Sequence, residues 1–489
     1  MRASRTKPGR QSAAPVISAR LNERVTLETR ADGSIAACFD GYMVELGKFS
    51  AGAAKRAQAL HAGLPISKIT SARSRIDKEI AQLARGLARR GLLEYRLAPA
   101  RGGKDLLVVE PQVADYWPQP TRLRAVDTIV LSRFAYLRRR GGDMVLESPI
   151  ATALFRLCDP AIASTIALLS TPHRVGNLRR ERGFAGLTLP GLLFDCRILF
   201  KVGPKVDNLR SAEGEAKLVV WDFHDLVFHT HSTEGRQANP LGGRYPFLGE
   251  IPPPPAVRPG WSGDKIDLRI FAAEPATTTS ALATLLDQRR STRDFDDERP
   301  IGVAELALLL ERTARVRTKW TSALDFGNGT FGPEIDYTSR PYPSAGSGYE
   351  LELYLAVANC KGLERGFYHY DADRHALMRI SVREQQLHAL LEGASYAMGA
   401  PAPPQILITL AARFDRICWK YSGIAYSLIL KDVGVVLQTL YLAATDLGLA
   451  GCAIGTGNID LFAKITGQEI YAEGPVGQFA LGRAAESAQ

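Results

Sequence analysis

The sequence predicts an α+β protein: two winged-helix-like modules, then a larger domain with helices flanking a mixed sheet. Three observations predict it. A strand–helix–helix–strand pattern over residues 22–98 recurs, with variation, over residues 127–202. A proline- and glycine-rich stretch from Gly235 to Thr279, with the run Pro252 to Pro255, separates that tandem from the C-terminal part of the chain. Beyond it, helical and strand periodicities alternate to the C-terminus.

Residues 1–20 carry Arg2, Arg5, Lys7, Arg10 and Arg20 with no apolar segment behind them, so they read as a disordered basic tail and not as a secretory signal. The first module, 21–100, opens on alternating strand signals at Val25, Leu27, Ala36, Cys38, Tyr42, Val44 and Leu46, with Asp32-Gly33 as a hairpin turn. Helices are expected at Ala53 to Ala62 and Ile76 to Arg90, and a closing strand at Gly91 to Leu97. The second module, 101–234, is expected to hold strands at Asp127 to Leu137 and Met144 to Ser148. Helices follow at Pro149 to Leu157, Pro160 to Leu169 and Leu187 to Phe194, then strands at Cys196 to Val202 and Val219 to His229. Residues 235–279 form a stiff, extended connector.

The last domain, 280–489, is expected to place helices at Ala281 to Gln288, Val303 to Thr313, Arg383 to Glu392 and Ile424 to Leu447. Strands are expected at Leu351 to Val357, Gly366 to Tyr370, Gln405 to Ala411 and Phe479 to Leu481. The helix Ile424 to Leu447 is apolar around most of its circumference, apart from a polar stripe at Lys431, Gln438 and Thr445 with Asp432, Thr439 and Asp446 beside it. Such a helix must be covered on most sides. At 1.5 Å per residue it is about 36 Å long, more than a small core demands, and a dimer interface would cover it.

With 46% hydrophobic and 23% charged residues, the composition is that of a soluble globular protein, and 489 residues exceed one ordinary core. No apolar run approaches the roughly 18 residues that would span a bilayer. The six cysteines are scattered without a C-x-x-C pair, which suits reduced thiols in a cytoplasmic protein. His224, His229 and His231 lack a nearby cysteine or carboxylate set, so no metal is expected. The net charge of +10 is uneven: residues 1–100 hold 18 Lys/Arg against 8 Asp/Glu, and the rest sum to zero. An acidic partner, if there is one, should meet the N-terminal region.

Four segments of the last domain carry chemistry. In the run Arg289-Arg290-Ser291-Thr292-Arg293, three arginines and two hydroxyls lie within five residues, a dense anion-binding cluster. Pro343-Ser344-Ala345-Gly346 forms a small-residue loop leading into a strand. Lys420-Tyr421 precedes the long apolar helix. Gly451 to Asn458, with Gly455 and Gly457, gives a glycine turn, and the final strand ends at Gly482-Arg483.

In this order and spacing the segments resemble the nitroreductase-like flavoproteins, in particular the SagB-type, azoline-oxidising dehydrogenases of thiazole/oxazole-modified peptide biosynthesis. The resemblance covers residues from about 280 onward. It implies FMN, with Arg289, Arg290, Ser291, Arg293 and Arg483 at its phosphate and with Pro343, Ser344, Ala345, Gly346 and Gly455 near its ring. It also implies an intertwined homodimer with FMN sites shared between subunits. Lys420-Tyr421 matches the Lys-Tyr motif of the azoline-oxidising branch and implies the catalytic base. A tyrosine, titrating at about 10, is a poor base at neutral pH, and a neighbouring ammonium favours its phenolate form. The family's Leu-Tyr-Pro after the loop glycines is replaced here by Gly348-Tyr349-Glu350.

The expected activity is therefore FMN-dependent oxidation of peptide thiazolines or oxazolines to thiazoles or oxazoles, with O₂ reoxidising the flavin. The expected partners are an azoline-containing precursor peptide and a cyclodehydratase. Two rivals stand beside it: an NAD(P)H-dependent nitroreductase acting on small molecules, and a flavin-sensing DNA-binding regulator. No aromatic or Arg-rich recognition helix supports the last, so nucleic acid is not the expected partner.

Overall fold

The computed structural model describes residues 14–485 except 40–41, 72, 101–102, 182–183, 204–212, 214, 235–249, 251–254, 258–265, 272–279 and 326–330. Most of the expected basic tail and most of the expected connector 235–279 lie outside the described residues. The chain forms two compact units, residues 1–240 and 241–489.

The N-terminal unit repeats one order of elements. A strand (Val16–Leu21) is followed by three strands (Thr26–Thr29, Ser34–Phe39, Tyr42–Lys48), helices Ala51–Ala57 and Ala59–Ala62, and a short strand Leu64–Pro65. Helices Ile66–Thr70 and Arg75–Arg89 and the strand Leu93–Ala98 complete the first copy. In the second copy Thr128–Leu131 leads three strands (Tyr136–Arg140, Asp143–Glu147, Ala153–Leu157), then helix Pro160–Leu168 and short strand His173–Arg174. Helices Val175–Leu178 and Thr188–Asp195 and strand Leu199–Lys201 close it. In each copy the short strand and the closing strand flank the first strand, antiparallel on both sides.

The two copies do not keep separate sheets. Leu107–Pro111 pairs with Leu93–Ala98 on one side and with Ala153–Leu157 on the other, building one seven-stranded sheet. One apolar core, from Ala19 to Leu199, runs beneath both copies. The helix Arg75–Arg89 shows why these elements form. Ser74 and Asp77 make a reciprocal cap, and Ile80, Leu83, Ala84 and Leu87 fall at helical spacing into the core.

The structure corrects three sequence expectations. The tail is structured from Val16, because Ala19 and Leu21 alternate into the core and the strand pairs along all of Leu93–Ala98. Pro149 to Leu157, expected as a helix, contains the strand Ala153–Leu157. It is a short apolar run buried between two neighbours, which periodicity cannot tell from a helix. Val219 to His229, expected as a strand, lies in the turn Ala216–Val220 and the helix Phe223–Glu234. The three histidines therefore sit on a helix. His229 is buried, stacked on Trp221, and burial lowers its pKa to about 3.

In the C-terminal unit six strands run in the order Ala376–Ile380, Gly366–Asp371, Leu351–Val357, Ile406–Arg413, Glu473–Gly482, Ala450–Ile454. All five ladders are antiparallel. Among the described residues, the parallel component of the expected mixed sheet is confined to two isolated bridges, Ser291 to Gly451 and Gly302 to Lys361. Helices Glu384–Met398 and Ile459–Thr466 cover one face through Leu387, Leu391 and Phe462. The long helix Ala425–Asp446 packs on Ala450–Ile454, Glu473–Gly482 and helix Val303–Thr313.

Among the described residues, the helix Ala425–Asp446 is long and apolar enough by composition to cross a membrane. Here one face is packed, through Tyr426, Ile429, Val433, Val436, Leu440 and Ala444. Asp432 lies on that buried face and not in the solvent stripe where its neighbour Lys431 stands. A hairpin absent from the sequence expectation, Thr318–Asp325 with Phe331–Ser339, precedes the small-residue loop.

Candidate functional site

The loop Pro343 to Gly348 enters the sheet at the strand Leu351–Val357. Its backbone is unusual: Gly346, Ser347 and Tyr349 have φ of 55°, 55° and 44°. Left-handed backbone is costly for residues with a Cβ and persists only when the surroundings impose it. Here they do. Asp432 Oδ2 accepts from the Ser344 hydroxyl at 2.8 Å and from the Ala345 N–H at 2.9 Å. Ser344 Oγ accepts from the Tyr349 N–H at 2.9 Å. The Arg416 guanidinium donates twice to the Gly348 carbonyl, at 3.2 and 3.1 Å.

Lys420 and Tyr421 come from the break between helices Phe414–Cys418 and Ala425–Asp446. Lys420 Nζ donates to the Gly346 carbonyl at 3.1 Å and stands 5.8 Å from the centre of the Tyr337 ring of the hairpin. A Cβ on Gly346 would lie 2.4 Å from Tyr421 Oη and 2.6 Å from Lys420 Nζ. Both polar tips thus converge on the one loop position where a glycine leaves room for them. Two segments 74 residues apart in sequence are joined into one centre here.

The arginine cluster follows helix Ala281–Gln288. Ser291 bridges to Gly451, and Ser291 Oγ lies 2.7 Å from Tyr441 Oη, which also accepts from the Ala453 N–H at 2.8 Å. The Arg289 guanidinium sits 5.3 Å from the Tyr441 ring centre. Arg290, Ser291 and Arg293 are exposed, and among the described residues no carboxylate is paired with Arg289, Arg290 or Arg293. Donors without a carboxylate are what a phosphate requires. The cluster and the Lys420–Tyr421 centre lie along the same helix: Tyr441 is nine residues beyond Asp432, about 14 Å by helical rise.

The remaining predicted residues are placed differently. Gly455 is exposed in the turn after Ala450–Ile454, ahead of the Asn458 cap of helix Ile459–Thr466. Arg483 neighbours the cluster through its carbonyl, which accepts from the Asp296 N–H at 2.9 Å. Its guanidinium, however, donates to both Glu305 oxygens at 2.8 and 2.9 Å and to the Arg299 carbonyl at 3.2 Å. It would have to leave Glu305 to reach a phosphate.

Sequence reasoning missed Glu350, Asp432, Arg416 and Tyr441. Glu350 is fully buried, and burial with the nearby charge of Asp432 pushes its carboxyl up to about 7. A carboxylate in a helix otherwise so apolar was the available signal for Asp432.

Residues 286–483 match the model of the nitroreductase family, and residues 129–238 match that of the cyanobactin oxidase ThcOx. A Methanocaldococcus jannaschii protein named as a nitroreductase is 29% identical over 193 residues, 40% of this chain and 85% of that one. The trifolitoxin-processing protein TfxB of Rhizobium leguminosarum bv. trifolii is 29% identical over 117 residues, 23% of this chain and 31% of that one. The microcin B17-processing protein McbC of Escherichia coli is 28% identical over 128 residues, 25% of this chain and 46% of that one. The match thus spans less than half the length of either processing protein. The C-terminal region is thus similar to the nitroreductase family, whose members typically bind flavin, and the protein is an oxidoreductase. The cyanobactin oxidase match adds to its resemblance to the SagB-type, azoline-oxidising branch.

Proposed function

We propose that the protein oxidises thiazoline or oxazoline rings in a ribosomally made peptide to thiazoles or oxazoles, with FMN as its flavin. The observation that carries this reading is the convergence of Lys420 Nζ and Tyr421 Oη on Gly346, inside the loop that by resemblance borders the flavin. FMN, when bound, supplies the two-electron acceptor. Arg289, Arg290, Ser291 and Arg293 hold its phosphate, and the loop 343–346 borders its ring. Tyr421 takes the ring proton and Lys420 supplies positive charge beside it. Incubation with an azoline-bearing peptide should give a product lighter by two hydrogens. Rapid flavin reduction by NAD(P)H with the peptide unchanged would favour a small-molecule nitroreductase instead.

The long helix supports a homodimer. One face is packed, while Leu430, Gly434 and Leu437 on its other side remain partly or fully exposed. Association would cover them, and it would let one flavin draw on the arginine cluster and the Lys420–Tyr421 centre of different subunits. Light scattering at low micromolar concentration should give a dimer mass; a stable flavin-loaded monomer contradicts it.

The repeated N-terminal elements are read as two winged-helix-like modules that hold the peptide or dock a cyclodehydratase. Part of their positive charge is already paired, as in Arg20–Glu94 and Arg140–Glu110. In the second copy a cavity of about 490 Å³ is lined by Arg124, Arg174 and Lys201 around Asp127, a setting for an acidic peptide. Deleting residues 1–235 should leave flavin bound and slow turnover on full-length peptide, the deficit shrinking at high salt as the wild-type rate falls. Turnover of the truncated protein at the wild-type rate removes the docking role.

A further inference from the structure

Behind the Pro343 to Gly348 loop the protein buries two carboxylates that the proposed chemistry leaves without a task. Asp432 is 6% exposed and Glu350 is 0% exposed. Both face a single hydroxyl: Ser344 Oγ is 2.8 Å from Asp432 Oδ2 and 3.2 Å from Glu350 Oε2. A serine hydroxyl has one proton to donate and two lone pairs to accept with. The shorter contact takes the proton, so Ser344 donates to Asp432. One lone pair accepts the Tyr349 N–H at 2.9 Å. The other faces Glu350 Oε2. An ionised Glu350 would set lone pair against lone pair there, away from water, which is costly. A protonated Glu350 donates and completes the set.

We propose that Glu350 and Asp432 share one proton and one negative charge, Glu350 protonated and Asp432 ionised, and that together they are positioning residues for the loop beneath Lys420 and Tyr421. The proposal rests on the reading of Lys420–Tyr421 as the reactive centre. Asp432 and Ser344 hold the start of the loop, and Glu350 fixes Ser344. The loop in turn presents the Gly346 carbonyl that receives Lys420. If the pair lost its proton, two negative charges would compete for the one Ser344 proton, and the left-handed backbone at Ser347 and Tyr349 would lose its support.

The surrounding groups do not relieve that conflict. Arg340 donates to the Leu351 carbonyl and faces Glu352, and Arg413 faces Glu352 as well. Arg416 is turned to the Gly348 carbonyl and Lys420 to the Gly346 carbonyl. Tyr342 is buried nearby, and its hydroxyl is pushed upward chiefly by burial, so it stays neutral. Among the described residues no cation is hydrogen-bonded to either carboxylate of the pair. Burial and the Asp432 charge raise the Glu350 carboxyl to about 7, in agreement with the proton count. A carboxyl raised above its unfolded value, about 4.3, contributes stability that is present below that value and lost as pH rises through the folded one.

The test compares thermal unfolding of the full-length wild type, Glu350→Gln and Asp432→Asn from about pH 5 to about pH 9. Glutamine donates an N–H where the acid donates its O–H and cannot ionise. The wild-type melting temperature should therefore fall relative to Glu350→Gln as pH rises through neutrality. Asp432→Asn removes the charge that keeps the proton on Glu350, so its own fall should be smaller and should level off at lower pH than in wild type. In peptide oxidation, Glu350→Gln should extend the alkaline limb of the rate profile and leave the acid limb in place. Parallel melting profiles for wild type and Glu350→Gln overturn the proposal, as does an Asp432→Asn profile that coincides with wild type. The melting profiles need neither flavin nor peptide. A pH-dependent difference without azoline oxidation would keep the pair and overturn only the reaction assigned to the site.

Discussion

Tyr421→Phe is expected to retain flavin and lose most azoline oxidation. Only the hydroxyl is removed. Tyr421 is half-buried, and its ring remains to pack against the loop. Loss of a general base typically costs about 10²–10⁴ in rate. Lys420→Ala should cost less, since the hydroxyl stays in place, although the loop loses the 3.1 Å hydrogen bond at Gly346. The hydride step should be followed by single-turnover flavin bleaching without oxygen, so that reoxidation does not mask it. Bleaching of Tyr421→Phe at the wild-type rate at every pH would show that the pair only supports the loop. Gly346→Ala offers a check from the opposite side. Its methyl would occupy the space where both tips meet and would also sit at φ 55°. It should lower the rate by displacing both tips, although both side chains keep their identity.

Lys420 and Tyr421 were singled out by the Lys-Tyr motif of the family the sequence resembles, and the structure sets them between helices Phe414–Cys418 and Ala425–Asp446, the first of which was not expected. Four of the six strands of the last sheet were legible: Leu351–Val357 and Ile406–Arg413 are buried nearly throughout, and such strands read as continuous apolar runs, whereas Ala376–Ile380 was not expected and Ala450–Ile454 was read in part as a glycine turn. The hairpin Thr318 to Ser339 was not legible. Much of it faces solvent, so neither strand carries a clear apolar alternation, and its stacked pair Trp320–Tyr337 is visible only once the register is known. Asp432 was misplaced because a helical wheel assigns a charge to the wet side by default. Its position is set by two donors on a loop 87 residues earlier in the chain, a tertiary fact that no local pattern contains. Glu350 was seen as a departure from the family's motif, and its meaning likewise appears only when Ser344 and Asp432 are brought beside it.

Replacing Arg289 and Arg293 together by alanine should give protein that loses its flavin on gel filtration. Each charge-assisted hydrogen bond to a phosphate contributes about 1.5–3 kcal/mol, so removal of two should weaken binding by about 10²–10⁴. Neither arginine is tied to a carboxylate among the described residues, so the substitutions strip donors without leaving a buried charge unpaired. Arg289 also lies over Tyr441, and its loss should be somewhat the larger of the two when they are tested singly. Arg483→Ala provides the contrast. Its guanidinium clamps Glu305 at the start of helix Val303–Thr313, so its loss should lower the melting temperature of the flavin-free protein. The Arg289/Arg293 variant should leave that melting temperature near wild type. Released flavin should be FMN, since the cluster offers one phosphate site and the G-x-G-x-x-G run at Gly327 to Gly332 leads into the strand Phe331–Ser339 and not into the helix that a dinucleotide site requires. A double variant that stays yellow through gel filtration would show that the phosphate is held elsewhere. A wild type that is colourless and cannot be reconstituted with FMN would remove the flavin, and with it the reaction proposed for Lys420 and Tyr421.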